Sequence, residues 1–268
     1  MDRTDETQQG ETAGGASAAA RQVVETQLCF EGCRVVRLEP EGGARGTLVW
    51  FHGGGWMIEL GEDALAWGRD LARETHLTVL MPDYPLARAY PYPQSNAWCT
   101  AFWRDCASRA ASPLYLGGDS AGAHLALCAL PAALPDRAAF VYPVTTLLPV
   151  RDGGSWKAYR KGWPLSPRLM DYFYDAYCPI LAERYGASPL EQLERIPPTL
   201  ILTATEDILA DQQTDFARRF GAEQRLYHGA QHIFLSRAEG AVFRQRALED
   251  LRTWFAQTMP HARFGGQA

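Results

Sequence analysis

The run Pro113-Leu114-Tyr115-Leu116-Gly117-Gly118-Asp119-Ser120-Ala121-Gly122-Ala123-His124-Leu125-Ala126-Leu127-Cys128-Ala129 places a serine between two apolar stretches. The pattern predicts a strand, a tight turn at Gly118-Asp119-Ser120-Ala121-Gly122, and a helix. Small residues on either side let the backbone bend sharply, so the serine hydroxyl projects above a sheet edge. A serine held there attacks a carbonyl carbon when a base and an oxyanion hole stand nearby.

A second glycine string lies upstream. His52-Gly53-Gly54-Gly55-Trp56 follows the apolar run Thr47-Leu48-Val49-Trp50-Phe51. At this chain's glycine usage a G-x-S-x-G string arises in about one random sequence in ten, and H-G-G-G in about one in a few hundred. The pair, in this order and after two strand-like runs, therefore carries far more weight than either alone. Backbone amides of such a glycine loop can supply half of an oxyanion hole.

Strands and helices alternate around these motifs. Thr26–Phe30 and Arg34–Leu38 read as a strand pair turning at Glu31-Gly32. Further strands are expected at Leu48–Phe51, Leu77–Met81, Leu114–Leu116, Ala138–Tyr142, Thr199–Thr203 and Gln224–Tyr227. Helices are expected at Asp63–Thr75, Gln94–Ala110, Ser120–Leu130, Ala210–Phe220 and Arg237–Gln257. Continuous apolar strands alternating with helices indicate an α/β fold, its mainly parallel sheet covered on both faces. Residues 1–22 lack periodicity and are expected to be mobile, with one domain over 23–268.

An insertion over about 146–194 breaks the alternation. It holds Trp156, Tyr159, Trp163, Tyr172, Phe173, Tyr174 and Tyr177. Insertions of this length in a compact domain are usually functional. It is expected to form a small helical cap, with Leu165–Leu181 helical and Leu169, Phe173 and Tyr177 on one face. Its aromatics divide between core and pocket.

The chain has 268 residues, 47% of them hydrophobic, and a formal net charge of -5. That supports a sizeable core. No basic run concentrates positive charge, so neither nucleic acid nor an anionic membrane is an expected partner. No stretch approaches the ~20 apolar residues that span a bilayer. The polar, acidic N-terminus lacks a signal-peptide core, which points to the cytoplasm. None of the six cysteines forms C-x-x-C, and no metal or cofactor is implied. The sequence leaves a homodimer open.

A serine hydroxyl needs a base to take its proton. A serine at such a turn takes it from the loop after the last strand, in the chain order serine, acid, histidine. His228 and His232 both follow that strand, and His232 is favoured because it stands clear of the strand end. His52 orients the glycine loop, His124 lies one helical turn past Ser120, and His76 and His261 lie elsewhere. Glu206, Asp207 and Asp211 sit on the preceding loop, and Asp207 is the choice for fixing the histidine tautomer.

The chain resembles the hormone-sensitive-lipase family of α/β-hydrolases, near its bacterial acetyl-esterase-like members, from about Leu48 to the final helix. The resemblance rests on His52–Trp56, Asp83-Tyr84-Pro85-Leu86-Ala87 with Pro91 and Pro93, Gly118–Gly122, Ser188-Pro189-Leu190, Pro197-Pro198, Asp207-Ile208-Leu209 and His232-Ile233-Phe234. It implies the α/β-hydrolase fold and a carboxylic-ester hydrolase with Ser120 as nucleophile, Asp207 as acid and His232 as base. It further implies oxyanion donors from the amides of Gly54, Gly55 and Ala121. Trp56, Met57, Tyr84, Trp163, Phe173 and Ile233 are the expected substrate-binding residues, around a short acyl chain of a small-molecule ester. Departures stand at Arg88-Ala89, where the family has Pro-Glu, at Ala123-His124 in place of a second glycine, and at Ile233 in place of glycine. Two other readings are an amidase of arylformamidase type, which shares the G-x-S-A-G-A-H elbow, and a non-catalytic binding protein on the same fold.

Overall fold

The computed structural model describes residues 22–109, 113–162 and 164–257. The segment expected to be mobile lies, but for Gln22, outside the described residues, as does Trp163. Eight strands form one sheet: β1 (Val23–Phe30), β2 (Cys33–Pro40), β3 (Thr47–Phe51), β4 (Thr78–Pro82), β5 (Leu114–Asp119), β6 (Arg137–Val141), β7 (Thr199–Glu206) and β8 (Glu223–Gln231). Their order is β1-β2-β4-β3-β5-β6-β7-β8. β2 runs antiparallel to β1 and to β4, and every pairing from β4 to β8 is parallel.

The helices are α1 (Glu62–Thr75), α2 (Gln94–Arg109), α3 (Ser120–Ala129), α4 (Gly154–Ala158), α5 (Pro167–Tyr177), α6 (Pro189–Gln192), α7 (Ala210–Phe220) and α8 (Ala241–Ala256). Successive strand residues face opposite sides, yet Leu48, Val49, Trp50 and Phe51 are all fully buried. Leu48 and Trp50 pack with Leu71 of α1 and Leu251 of α8. Val49 and Phe51 pack with Phe102 of α2 and Leu125 of α3. Helices cover both faces, which is why these strands read as unbroken apolar runs.

Parallel pairing brings the carboxyl ends of β3, β5, β7 and β8 to one edge, where open α/β sheets bind ligands. His52, Ser120, Asp207 and His232 are the residues that leave those four ends.

The stretch between β6 and β7 is fastened at both ends. Gln212 Oε1 accepts the amides of Thr145 (2.7 Å) and Thr146 (3.1 Å). Ser188 Oγ accepts the Leu147 amide at 2.9 Å, and the Leu190 amide donates to the Thr145 carbonyl. Between these ties runs α5, shorter than the helix expected over Leu165–Leu181. It starts at Pro167, with Ser166 Oγ accepting the Leu169 amide as N-cap. It stops at Tyr177, because Cys178 precedes Pro179 and a residue before proline disfavours helical backbone. β8 extends past Tyr227 to Gln231, so His228 lies within the strand. Thr205 Oγ1 supports the extension, donating to the Tyr227 carbonyl and accepting the Gly229 amide across an irregular register.

Candidate active site

Ser120 takes a left-handed backbone (φ +51), uncommon for a residue with a side chain. The turn is paid for by tight approach around it. A Cβ on Gly122 would lie 2.2 Å from the carbonyl oxygens of Phe51 and His52. α3 can start beside the end of β3 only because position 122 has no side chain.

Ser120 Oγ lies 2.8 Å from His232 Nε2, and His232 Nδ1 lies 2.6 Å from Asp207 Oδ2. All three residues are buried. With Nδ1–H donating to the carboxylate, Nε2 is left to accept the Ser120 hydroxyl proton. Asp207 is held in turn: its Oδ1 accepts the Leu209 amide at 3.0 Å. The other acids go elsewhere. Glu206 is exposed at the end of β7, and Asp211 Oδ2 accepts the Ser155 amide at 2.7 Å, tying α4 to α7. The exposed His228 lies apart from this line.

The glycine loop after β3 bends through left-handed backbone at Gly54 (φ +129), Gly55 (φ +59) and Trp56 (φ +61). Gly53 lies against Asp119, where a Cβ would meet Oδ2 at 2.3 Å. The Asp119 carboxylate accepts the Gly53 amide and Trp50 Nε1 (3.1 Å), joining elbow and loop. Asp83 fixes the loop's far end: Oδ1 accepts the Leu60 amide at 2.9 Å, and Oδ2 accepts Arg34 at 3.1 Å. Ala121 lies in the first turn of α3, so its amide has no carbonyl one turn back.

A cavity of about 170 Å3 stands over the serine, lined by Gly54, Gly55, Ser120, Ala121 and His232. Of the expected substrate contacts, Trp56, Phe173 and Ile233 line it. Met57 and Tyr84 do not. Tyr84 is buried beneath the loop, stacked on His52 at 4.4 Å and donating to the His52 carbonyl at 2.8 Å. Met57 is half-buried and its amide donates back to the Gly54 carbonyl. Both motif neighbours support the loop and lie outside the cavity lining, a placement carried by backbone direction and invisible in the sequence.

Pro164, Leu165, Leu169, Met170, Ile58 and Val144 complete the lining. Only Leu169 had a sequence signal, through its place on the apolar face of α5. Phe173 closes tightly over the loop: a Cβ on Gly55 would meet its ring at 2.6 Å. Ile233, at φ +57, occupies a conformation suited to glycine, which explains the glycine of the resembling family there. Arg88 answers the departure from Pro-Glu by donating to the Tyr172 hydroxyl on α5.

Behind the loop, Trp56 stacks on Tyr177 (4.5 Å) and meets the edge of His124 (5.2 Å). Such pairs contribute about 0.5–1.5 kcal/mol each beyond burial. Tyr177 donates its proton to Asn96 Oδ1, so His124 Nε2–H donates to the Tyr177 oxygen at 3.1 Å.

Burial pushes His52 down to about 4 and His124 down to about 3, while it pushes the Asp119 carboxyl up to about 6. Both histidines thus fold neutral. An unfolded histidine takes a proton below about 6.5, so their contribution is present above that pH and is lost as the pH falls toward 4 and 3. Asp119 runs oppositely: its contribution is complete below 3.8 and lost as the pH rises through 6. Between pH 7.5 and pH 5 each histidine removes about 2 kcal/mol and Asp119 returns about 1 kcal/mol. Urea unfolding at the two pH values should show a net loss of roughly 2–3 kcal/mol at pH 5. A midpoint that stays fixed or rises would contradict these burials.

An eight-stranded, mainly parallel sheet with a serine, histidine and carboxylate in line at its carboxyl edge defines the class. The chain belongs to the α/β-hydrolase fold family, whose model matches residues 48–236, and to its hormone-sensitive-lipase-like branch. It is 29% identical over 194 residues to the ethyl acetate hydrolase of Pseudomonas putida, covering 65% of this chain and 60% of that protein. It is 28% identical over 242 residues to the acetyl esterase of Salmonella paratyphi B, covering 82% and 75%. An α/β-hydrolase enzyme from the metagenome of Lake Arreo, Spain, is similar in structure, with a TM-score of 0.78 at 27% identity over 91% of this chain and 86% of that one. The chain spans 57–60% of the length of several curated relatives it matches. Among the described residues, no helix is long and apolar enough to cross a membrane.

Proposed function

We propose that this chain hydrolyses short-chain carboxylic esters through an acyl-enzyme. The observation that carries the proposal is the buried line Ser120 Oγ–His232 Nε2 (2.8 Å) and His232 Nδ1–Asp207 Oδ2 (2.6 Å) at the base of an apolar cavity. Relatives named as ethyl acetate hydrolase and acetyl esterase support the same reading.

Ser120 gives its proton to His232 Nε2 as Oγ attacks the ester carbonyl. Asp207 holds the imidazole in the needed tautomer and stabilises the imidazolium as it forms. The amides of Gly54, Gly55 and Ala121 receive the oxyanion, each such donor being worth about 10²–10³ in rate. His232 then protonates the leaving alcohol, and later takes a proton from the water that releases the acid. The segment over about 146–194 acts as a cap, its α5 roofing the cavity with Leu169, Met170 and Phe173.

At about 170 Å3 the cavity is smaller than the ~300 Å3 at which drug-sized pockets begin. A series of p-nitrophenyl esters should peak at about two to four acyl carbons. A maximum above about ten carbons would contradict the assignment of this cavity to the acyl group. Amide cleavage draws on the same residues, but His124, the feature shared with arylformamidases, is buried behind the loop and outside the cavity lining. N-formylkynurenine assayed beside p-nitrophenyl acetate separates the two activities, and the ester is the expected substrate.

A further inference from the structure

Residues 151–168 hold five cations, Arg151, Lys157, Arg160, Lys161 and Arg168, against one carboxylate, Asp152, in a chain of net charge -5. Lys157 and Lys161 are its only lysines. They are spread along the chain, so no basic run announces them. Folding gathers all five, with Asp152, Trp156, Ser166 and Pro167, around a groove of about 670 Å3. Arg151 is engaged: it bridges Asp171 and lies over the Trp156 ring at 5.4 Å. Lys157, Arg160, Lys161 and Arg168 are exposed and pair with no carboxylate among the described residues. These four cations against the single lining carboxylate, Asp152, leave the groove with excess positive charge that draws an anion.

The groove adjoins the serine's cavity, because one segment lines both. Pro164, Leu165 and Leu169 line the cavity, and Ser166, Pro167 and Arg168 line the groove. At about 1.5 Å of rise per residue, Arg168 lies roughly 8 Å along α5 from Phe173, which covers Gly55. The cavity itself offers an anion no Lys or Arg among its lining residues. An acyl group seated there is neutral, so any charge on the substrate falls to the alcohol half, outside the cavity.

Resting on the ester hydrolysis proposed above, we propose that the preferred substrate is a short-chain ester of an alcohol that itself bears an anionic group, and that this basic groove holds that group. The step is ordinary ester hydrolysis: water adds, and the acid and the anionic alcohol are released.

Three chromogenic esters test it on the full chain. p-Nitrophenyl acetate is the neutral reference, 4-acetoxy-3-nitrobenzoate carries a carboxylate on the alcohol half, and p-nitrophenyl hydrogen glutarate carries one on the acyl half. The fourfold variant Lys157→Gln/Arg160→Gln/Lys161→Gln/Arg168→Gln should lower kcat/KM for 4-acetoxy-3-nitrobenzoate about tenfold relative to p-nitrophenyl acetate, mainly through KM. About 0.5 M salt should do the same to the unsubstituted protein. A ratio that neither treatment moves, or a larger fall on the glutarate ester, overturns the proposal. So does an unmoved ratio accompanied by groove-dependent inhibition by poly-L-glutamate, which would assign the groove to an acidic protein surface. Should none of the three esters turn over in the unsubstituted protein, the parent reading fails instead.

Discussion

Ser120→Ala should lower kcat for p-nitrophenyl acetate by about 10⁶ while the chain still folds. The methyl group cannot attack, and His232 Nε2, buried and 2.8 Å from the missing oxygen, has no proton to take. Oxyanion donors and binding alone leave only about 10³–10⁴ over the reaction in water. The fold survives because alanine meets the same left-handed strain as serine at this position, φ +51. The lost hydrogen bond leaves one imidazole nitrogen unpaired, at about 1–3 kcal/mol. Steady-state kinetics beside a circular-dichroism melt reads both parts. Undiminished turnover would remove the mechanism, and an unfolded variant would remove the claim that the serine serves chemistry rather than architecture.

The second large effect is structural. Gly122→Ala should destabilise the protein by about 3 kcal/mol or more, the range of severe overpacking. Its Cβ would sit 2.2 Å from two backbone oxygens, Phe51 and His52, and neither can rotate aside as a side chain would. Gly221→Ala is the matched control. It ends α7 at φ +66 with nothing within 4 Å, so it carries backbone strain alone, about 1 kcal/mol. Urea midpoints of the two variants should differ accordingly, and equal small shifts would contradict the close approach of α3 to β3. Activity should fall with stability, since a displacement of about 1 Å at a reacting group can cost about 10²-fold.

Much of this was legible in the sequence for identifiable reasons. Strands buried on both faces leave unbroken apolar runs, so the run at Leu48–Phe51 located its strand without any alternation. The elbow was legible because the turn demands small residues at 118 and 122. Chain order after the last two strands narrowed the acid to Glu206, Asp207 and Asp211 and the base to His228 and His232, and the structure brings Asp207 and His232 to the serine. Other features depend on where the folded backbone points. Tyr84 lies a residue from a motif aspartate, yet its ring turns beneath His52. The helix expected over Leu165–Leu181 stops at Tyr177, the last residue of its apolar face, because Pro179 follows. The basic groove was hidden because its cations are separated along the chain and meet only after α4 and α5 are in place.

Activation of Ser120 by His232 is the central claim, and a fluorophosphonate probe tests it most directly, since such probes react with a serine only when a base has raised its nucleophilicity. Mass spectrometry should find one adduct per chain, on the peptide bearing Ser120, and none on His232→Ala. No adduct on the unsubstituted protein, or an adduct on another residue, would contradict it.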